Sequence, residues 1–295
     1  MANILVAGAT GYLGLHIVKN LAEQGFNTTA LVRTPSKVNR LNLPVRVLEA
    51  QLTHPGSLID CCHDIDTVIS SLGITRQTDG LSYMDVDFQA NMNLLNEAKR
   101  SGVKKFIYVS VLHGEELKSL QICAAKEKFV EALKNSGLEY CIIRPSGFFS
   151  DLTEFYNMAK KGRIFLFGDG QLTSNPIHGD DLAKVCIDAI ATDTQEIKIG
   201  GPDTLSQVDI ATLAFEAVNK PLKITFIPDW VRRVLLKAAN LLLSNNKYGP
   251  VEFFLNVMVM EMSTELYGKQ SLKDYFISLN NTSNNKTDKN SAIQK

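Results

Sequence analysis

The chain of 295 residues is 45% apolar, enough for a large core, and carries 31 basic against 31 acidic side chains. The balance holds in both halves, 15 against 14 in residues 1–150 and 16 against 17 in 151–295, so the basic surface of a nucleic-acid binder is missing. No uncharged apolar run reaches the roughly 18 residues of a membrane span, and the first residues lack the basic start and cleavage pattern of a secretory leader.

Asn3–Ala7 reads as a first strand, followed by a helix over Tyr12–Gln24 with apolar residues at Leu13, Ile17, Val18 and Leu21 and a terminating Gly25. Further strands are expected at Asn27–Val32, Val45–Glu49, Thr67–Ser70, Lys105–Val109 and Glu139–Ile143. Helices over Val86–Ser101 and Gln121–Asn135 separate the later ones. This alternation predicts a doubly wound α/β fold with a parallel sheet over residues 1–145. Beyond Pro145 the rhythm changes. A strand at Ile164–Phe167, a helix opening at Asp180-Asp181, a strand at Glu196–Ile199 and a Ser206-capped helix over Gln207–Val218 follow. Apolar helices at Asp229–Leu243 and Val251–Met262 complete a small C-terminal α+β substrate lobe, 146–279, interleaved with the last core elements. The polar tail 280–295 is expected to be disordered.

Gly8-Ala-Thr10-Gly11-Tyr12-Leu13-Gly14 lies between the first strand and first helix. That context lets the backbone turn sharply onto a pyrophosphate at a helix N-terminus, and makes the segment a dinucleotide loop of Rossmann type. No Lys-Ser/Thr follows, which excludes a nucleoside-triphosphate loop. The second strand ends in Arg33, where an NAD site usually places an acid; a guanidinium suits a 2′-phosphate, so NADPH is expected over NADH. The five cysteines are irregularly spaced, and the consecutive Cys61, Cys62 and His63 point apart. No metal site is expected, and the thiols read as reduced in a cytoplasmic protein.

With these motifs the chain resembles the short-chain dehydrogenase/reductase superfamily, in the atypical branch of NmrA-like proteins and isoflavone-reductase-like enzymes, over roughly residues 1–191. Ser70-Ser71-Leu72-Gly73, the stretch from Asp87 through Asn91 to Asn93, Tyr108-Val-Ser110, Lys126, Arg144-Pro145 and Asn175-Pro-Ile-His178-Gly-Asp180-Asp181 carry the likeness. The resemblance implies cofactor contacts from the glycine loop, Arg33, Gln51, Leu52, Ser70, Ser71, Leu72, Lys126 and Pro145. Gln51 stands where relatives carry aspartate. Four residues before Lys126, where the main branches place a proton-passing tyrosine, stands Ile122. The isoflavone-reductase-like enzymes share this gap, and the resemblance implies that Lys126 itself acts in acid–base chemistry. Ser110 is either a hydrogen-bonding catalytic group or a strand-end hydroxyl, and His113 either a proton source or an ordinary loop residue. Phe148, Phe149 and His178 are candidates for the substrate pocket, with core packing or a turn brace as the plain alternatives.

An NADPH-dependent reductase of a small carbonyl, quinone or conjugated double bond is the leading expectation, as a monomer or homodimer with a small-molecule substrate. A non-catalytic dinucleotide-binding regulator, redox sensor or assembly factor is the alternative, and a sugar-nucleotide epimerase a weaker third. The helix from Asp229 pairs an apolar stripe with Arg232, Arg233 and Lys237, which fits a lid, a subunit contact or an interfacial membrane helix.

Overall fold

The computed structural model describes residues 2–34, 42–74 and 80–281. Lys37, at the end of the stretch after Arg33, lies outside them, as does the tail from 282. The chain divides into two units. The first comprises residues 1–145, 179–198 and 238–254; the second comprises 146–178, 199–237 and 255–295.

In the first unit, strands β1 (Asn3–Ala7), β2 (Asn27–Val32), β3 (Arg46–Glu49), β4 (Thr67–Ser70), β5 (Lys105–Val109), β6 (Glu139–Pro145) and β9 (Glu196–Ile199) form one sheet in the order β3-β2-β1-β4-β5-β6-β9. The pairings of β1 with β2 and β4, of β2 with β3, and of β5 with β4 and β6 are all parallel. The central strands β1, β4 and β5 are buried on both faces, as a sheet covered by helices on both sides requires. Helices α1 (Tyr12–Glu23), α2 (Asn91–Arg100), α3 (Gln121–Lys134) and α5 (Gly179–Asp188) belong to this unit. Strand order reverses between β1 and β4, and such a switch point is where open α/β sheets bind ligands. Gly25, at φ 80°, closes α1 as its position in the sequence implies.

One core helix differs from the expected straight run over Val86–Ser101. A wider π-helical stretch, Met84–Ala90, precedes α2. Asn91 spans it, donating from Nδ2 to the carbonyls of Val86 (3.3 Å) and Asp87 (3.0 Å). Such widened turns concentrate at functional sites.

The second unit holds α4 (Thr153–Lys161), β7 (Ile164–Phe167), β8 (Thr173–Ser174), β10 (Leu205–Ser206), α6 (Gln207–Ala217) and β11 (Ile224–Ile227). Phe149, Phe155, Tyr156, Phe215 and Phe276 anchor its separate core. Ser206 caps α6 in a reciprocal box with Asp209. β11, a four-residue run that the sequence reading passes over, pairs parallel with β7.

Two helices cross the division, α7 (Asp229–Leu242) and α8 (Asn245–Val257). α8 is displaced from the expected Val251–Met262. The Ser244 carbonyl accepts the Lys247 and Tyr248 amides and starts the helix ahead of Pro250. Its far end stops because the Met262 amide bonds the Thr173 carbonyl at 2.9 Å. The tail also needs correcting: residues 272–281 are helical, and Asn280 accepts a hydrogen bond from the Tyr156 hydroxyl at 3.2 Å. Among the described residues no helix is long and apolar enough to cross a membrane.

Candidate functional site

The glycine loop closes on itself at the carboxyl end of β1. The Gly11 amide donates to the Gly8 carbonyl at 2.9 Å, and Gly8 sits at φ 76°. A Cβ on Gly8 would stand 2.9 Å from the Ser71 hydroxyl, and one on Gly14 would overlap the Gly8 carbonyl oxygen. Gly14 is thus packed against the loop itself. Helix α1 then opens with no side-chain cap and no acidic residue in its first turn. That leaves the helix N-terminus fit for the pyrophosphate of a dinucleotide. Thr10 and Tyr12 are partly exposed and Leu13 is buried. The Tyr12 hydroxyl accepts the Gly179 amide at 3.0 Å, so this side chain also ties α5 to α1.

Ser71, after β4, meets this loop: its amide and hydroxyl both donate to the Ala7 carbonyl, at 3.1 and 3.2 Å. Ser70 is fully buried, and its hydroxyl donates to Asn91 Oδ1 at 2.6 Å, which fastens the widened turn to β4. Leu72 is half-buried. At the end of β3 the Gln51 backbone is held by Ser57, and the Leu52 carbonyl accepts Asn93 Nδ2 at 2.9 Å. Arg33 follows β2 directly and is exposed.

Lys126, on α3, brings an ammonium to the same edge. Its Nζ lies 3.0 Å from Asp87 Oδ1 and 5.5 Å from the Tyr108 ring centroid. A Cβ on Gly73 would come 2.7 Å from Asp87 Oδ1 and 2.9 Å from Lys126 Nζ, so only glycine lets the chain after β4 pass so close. Asp87 is completely buried and also accepts the Ile74 amide at 3.2 Å. The Tyr83 hydroxyl is buried with no hydrogen-bond partner among the described residues, and the buried Tyr108 hydroxyl faces Lys126. Burial pushes the Asp87 pKa up against the pull of Lys126. For Lys126 burial disfavours the charge, but the facing Tyr108 hydroxyl and Asp87 carboxylate outweigh it and hold the amine above the usual lysine range. Lys126 is thus an ammonium at neutral pH. Ile122, one turn earlier, is a buried apolar residue.

Ser110 is drawn into a different cluster, its hydroxyl engaged with Glu127. Its hydroxyl donates to Glu127 Oε1 at 3.0 Å, and Glu127 takes a two-point grip from Arg144, at 2.5 and 2.9 Å. Arg144 also donates to the Val111 carbonyl and pairs with Glu196. Gly114 folds directly over the pair. His113, at φ 56° in the same loop, pairs with exposed Glu116 at 3.0 Å, the setting of an ordinary loop residue. Pro145, buried at the end of β6, accepts the Leu112 amide at 3.1 Å.

The three pocket candidates lie in the second unit. Phe149 is a core residue, 5.7 Å from the His178 ring and 5.6 Å from that of Tyr275. Core packing wins for it. Phe148 is half-buried and bridges to Ile177. Among the described residues no group of His, Cys, Asp and Glu is disposed to hold a metal ion.

The sequence reading misses Asp87, Tyr108 and Tyr83 as site residues. A signal for Asp87 exists: with Asn91, Leu94 and Ala98 it falls on one helical face, and an acid on an otherwise inward face demands a partner.

A family model described as NAD(P)H-binding matches residues 8–193, from the glycine loop to the end of α5 and the turn beyond. The chain belongs to this NAD(P)H-binding family. Family membership agrees with the capless α1 terminus and its glycines. Among curated relatives, the divinyl chlorophyllide a 8-vinyl-reductase of Cucumis sativus is 28% identical, over 93% of this chain and 75% of its own. The photosystem II assembly factor Ycf39 of Synechocystis is also 28% identical, over 65% of this chain and 59% of its own. Among solved structures, the NADPH-dependent quinone oxidoreductase QOR2 of Escherichia coli, complexed with NADPH, superposes with a TM-score of 0.73 at 17% identity, covering 94% of this chain and 99% of its own. At that identity the likeness establishes the shared Rossmann-type fold.

Proposed function

We propose that this NAD(P)H-binding protein is an NADPH-dependent reductase whose acceptor is a conjugated double bond, a quinone or a small carbonyl. The observation that carries this reading is the Lys126 ammonium, held 3.0 Å from buried Asp87 beside the chain leaving β4. The α1 terminus with Gly8 and Gly11 would hold the pyrophosphate, with Gly14 keeping the loop close to the helix, Arg33 would meet the 2′-phosphate, and Lys126 the nicotinamide ribose. Bound there, the dinucleotide supplies a hydride. Lys126 keeps its proton at neutral pH, so its task is to hold the ribose and stabilise negative charge building on an acceptor oxygen, rather than to shuttle protons. The proton that completes the reduction then comes from water. The reductase relative spans 93% of the chain and supports an enzyme.

The second reading is a dinucleotide-binding assembly factor, favoured by the Ycf39 relative and by a site lacking any tyrosine at Ile122. A panel of quinones, enals and ketones, followed by NADPH absorbance, separates the two. Turnover of one acceptor is expected; NADPH binding with no turnover across the panel transfers the conclusion to the assembly factor. Cofactor choice is tested at Arg33. NADPH is expected to bind at least ~10-fold more tightly than NADH, about 1.4 kcal/mol, and Arg33→Asp is expected to abolish the preference. Equal affinities in the unaltered protein contradict the assignment.

A further inference from the structure

Among the described residues, α7 is the helix without a single buried residue. Trp230 is 63% exposed, Val234 54% and Leu241 85%. Spaced at i, i+4 and i+11, these three share a stripe on the helix. Arg233 and Lys237 are exposed beside that stripe, one turn apart. Asp229 is the acid of α7, and it is paired with Arg232 at 2.6 Å and Arg233 at 2.8 Å. Residues 218–243 carry five basic side chains, Lys220, Lys223, Arg232, Arg233 and Lys237, against that single acid, in a chain whose net charge is zero. The neighbouring β7–β11 ribbon has the same character. Phe165 and Phe226 are exposed on it, and Arg163 donates to Thr225 across the strand starts.

We infer that α7 docks the protein on an anionic lipid surface, lying in the plane of the interface with Trp230, Val234 and Leu241 sunk at the acyl boundary and Arg233 and Lys237 reaching the headgroups. Three features choose lipid over a second copy or a protein partner. The exposed cations border an apolar stripe and outnumber the one acid beside them, Asp229, as interfacial helices require. Lysine and arginine stems lie along apolar surface while their charges stay wet. The stripe's tryptophan has the amphipathic ring that interfaces favour. No helix of the described residues crosses a bilayer, so the attachment is peripheral and reversible.

The sequence supplies its own reporter, because Trp230 is the sole tryptophan. The full chain is titrated with vesicles of phosphatidylcholine containing phosphatidylglycerol, then with phosphatidylcholine alone, while tryptophan emission is recorded. Emission is expected to shift to the blue and to be quenched by brominated acyl chains on anionic vesicles. High salt is expected to weaken the effect, and neutral vesicles to give little. Arg233→Gln with Lys237→Gln is expected to lower the partition constant about 30-fold, and Leu241→Ser to lower it severalfold, with unfolding midpoints unchanged because these side chains are exposed. An unshifted emission on anionic vesicles overturns the inference. So does a blue shift that appears without lipid as protein concentration rises and tracks dimer formation in sedimentation, which assigns the face to a second copy.

Discussion

Lys126 and Glu127 are neighbours on α3, and each makes a buried ion pair, but the two pairs are built differently. Glu127 and Arg144 are each 2% exposed, joined at two points and closed by Ser110, Val111 and Glu196. Lys126 is 12% exposed, touches Asp87 through one oxygen, and has two buried phenols nearby, Tyr108 facing the amine and Tyr83 without a hydrogen-bond partner among the described residues. A saturated network fixes structure, whereas a site with donors left over retains capacity for a ligand. The first pair braces the β5–β6 edge; the second is the candidate for chemistry. Adjacent residues on one helix thus divide architecture from function.

That division is broken most forcefully at Arg144. Arg144→Met leaves Glu127 buried and unpaired and is expected to cost about 3–5 kcal/mol in urea unfolding, most of it regained when Glu127→Leu is added. Full stability in the single variant contradicts the bracing role.

Asp87→Asn tests the other pair. In the unaltered protein Lys126 is held above the usual lysine range, so NADPH oxidation has no alkaline limb from this group below about pH 10. Without the Asp87 anion, burial pulls the amine down and an alkaline limb appears at lower pH, visible in a rate profile. An unchanged profile detaches Asp87 from Lys126. The smallest effect is expected at Ser110. Ser110→Ala loses one hydrogen bond to a charged acceptor, about 1–2 kcal/mol in unfolding, with turnover within ~2-fold. A rate loss near that of a lysine variant restores Ser110 to the reacting centre.

The sheet was legible because strands such as Asn3–Ala7 and Thr67–Ser70 are short apolar runs bounded by turn residues, and the glycine loop because its backbone requirements are local. Ser110 was not, since whether a strand-end hydroxyl faces a ligand or a buried acid depends on Glu127 and Arg144, distant in sequence from it and from each other. Asp87 lies on a legible inward face, but its partners, Lys126 on α3 and the Ile74 amide, are brought to it only by the fold. α8 was misplaced because its end is set by the bond from Met262 to Thr173, a partner 89 residues earlier in the chain.

The central claim is that the Lys126 ammonium acts on the acceptor. It is tested by following NADPH oxidation in a single turnover, with an acceptor identified in the panel, in the unaltered protein and in Lys126→Ala. The account predicts a rate ~100-fold lower or more in the variant, the usual effect of removing one transition-state electrostatic group, with NADPH affinity weakened only severalfold. Lys126→Ala oxidising NADPH at the unaltered rate would contradict it.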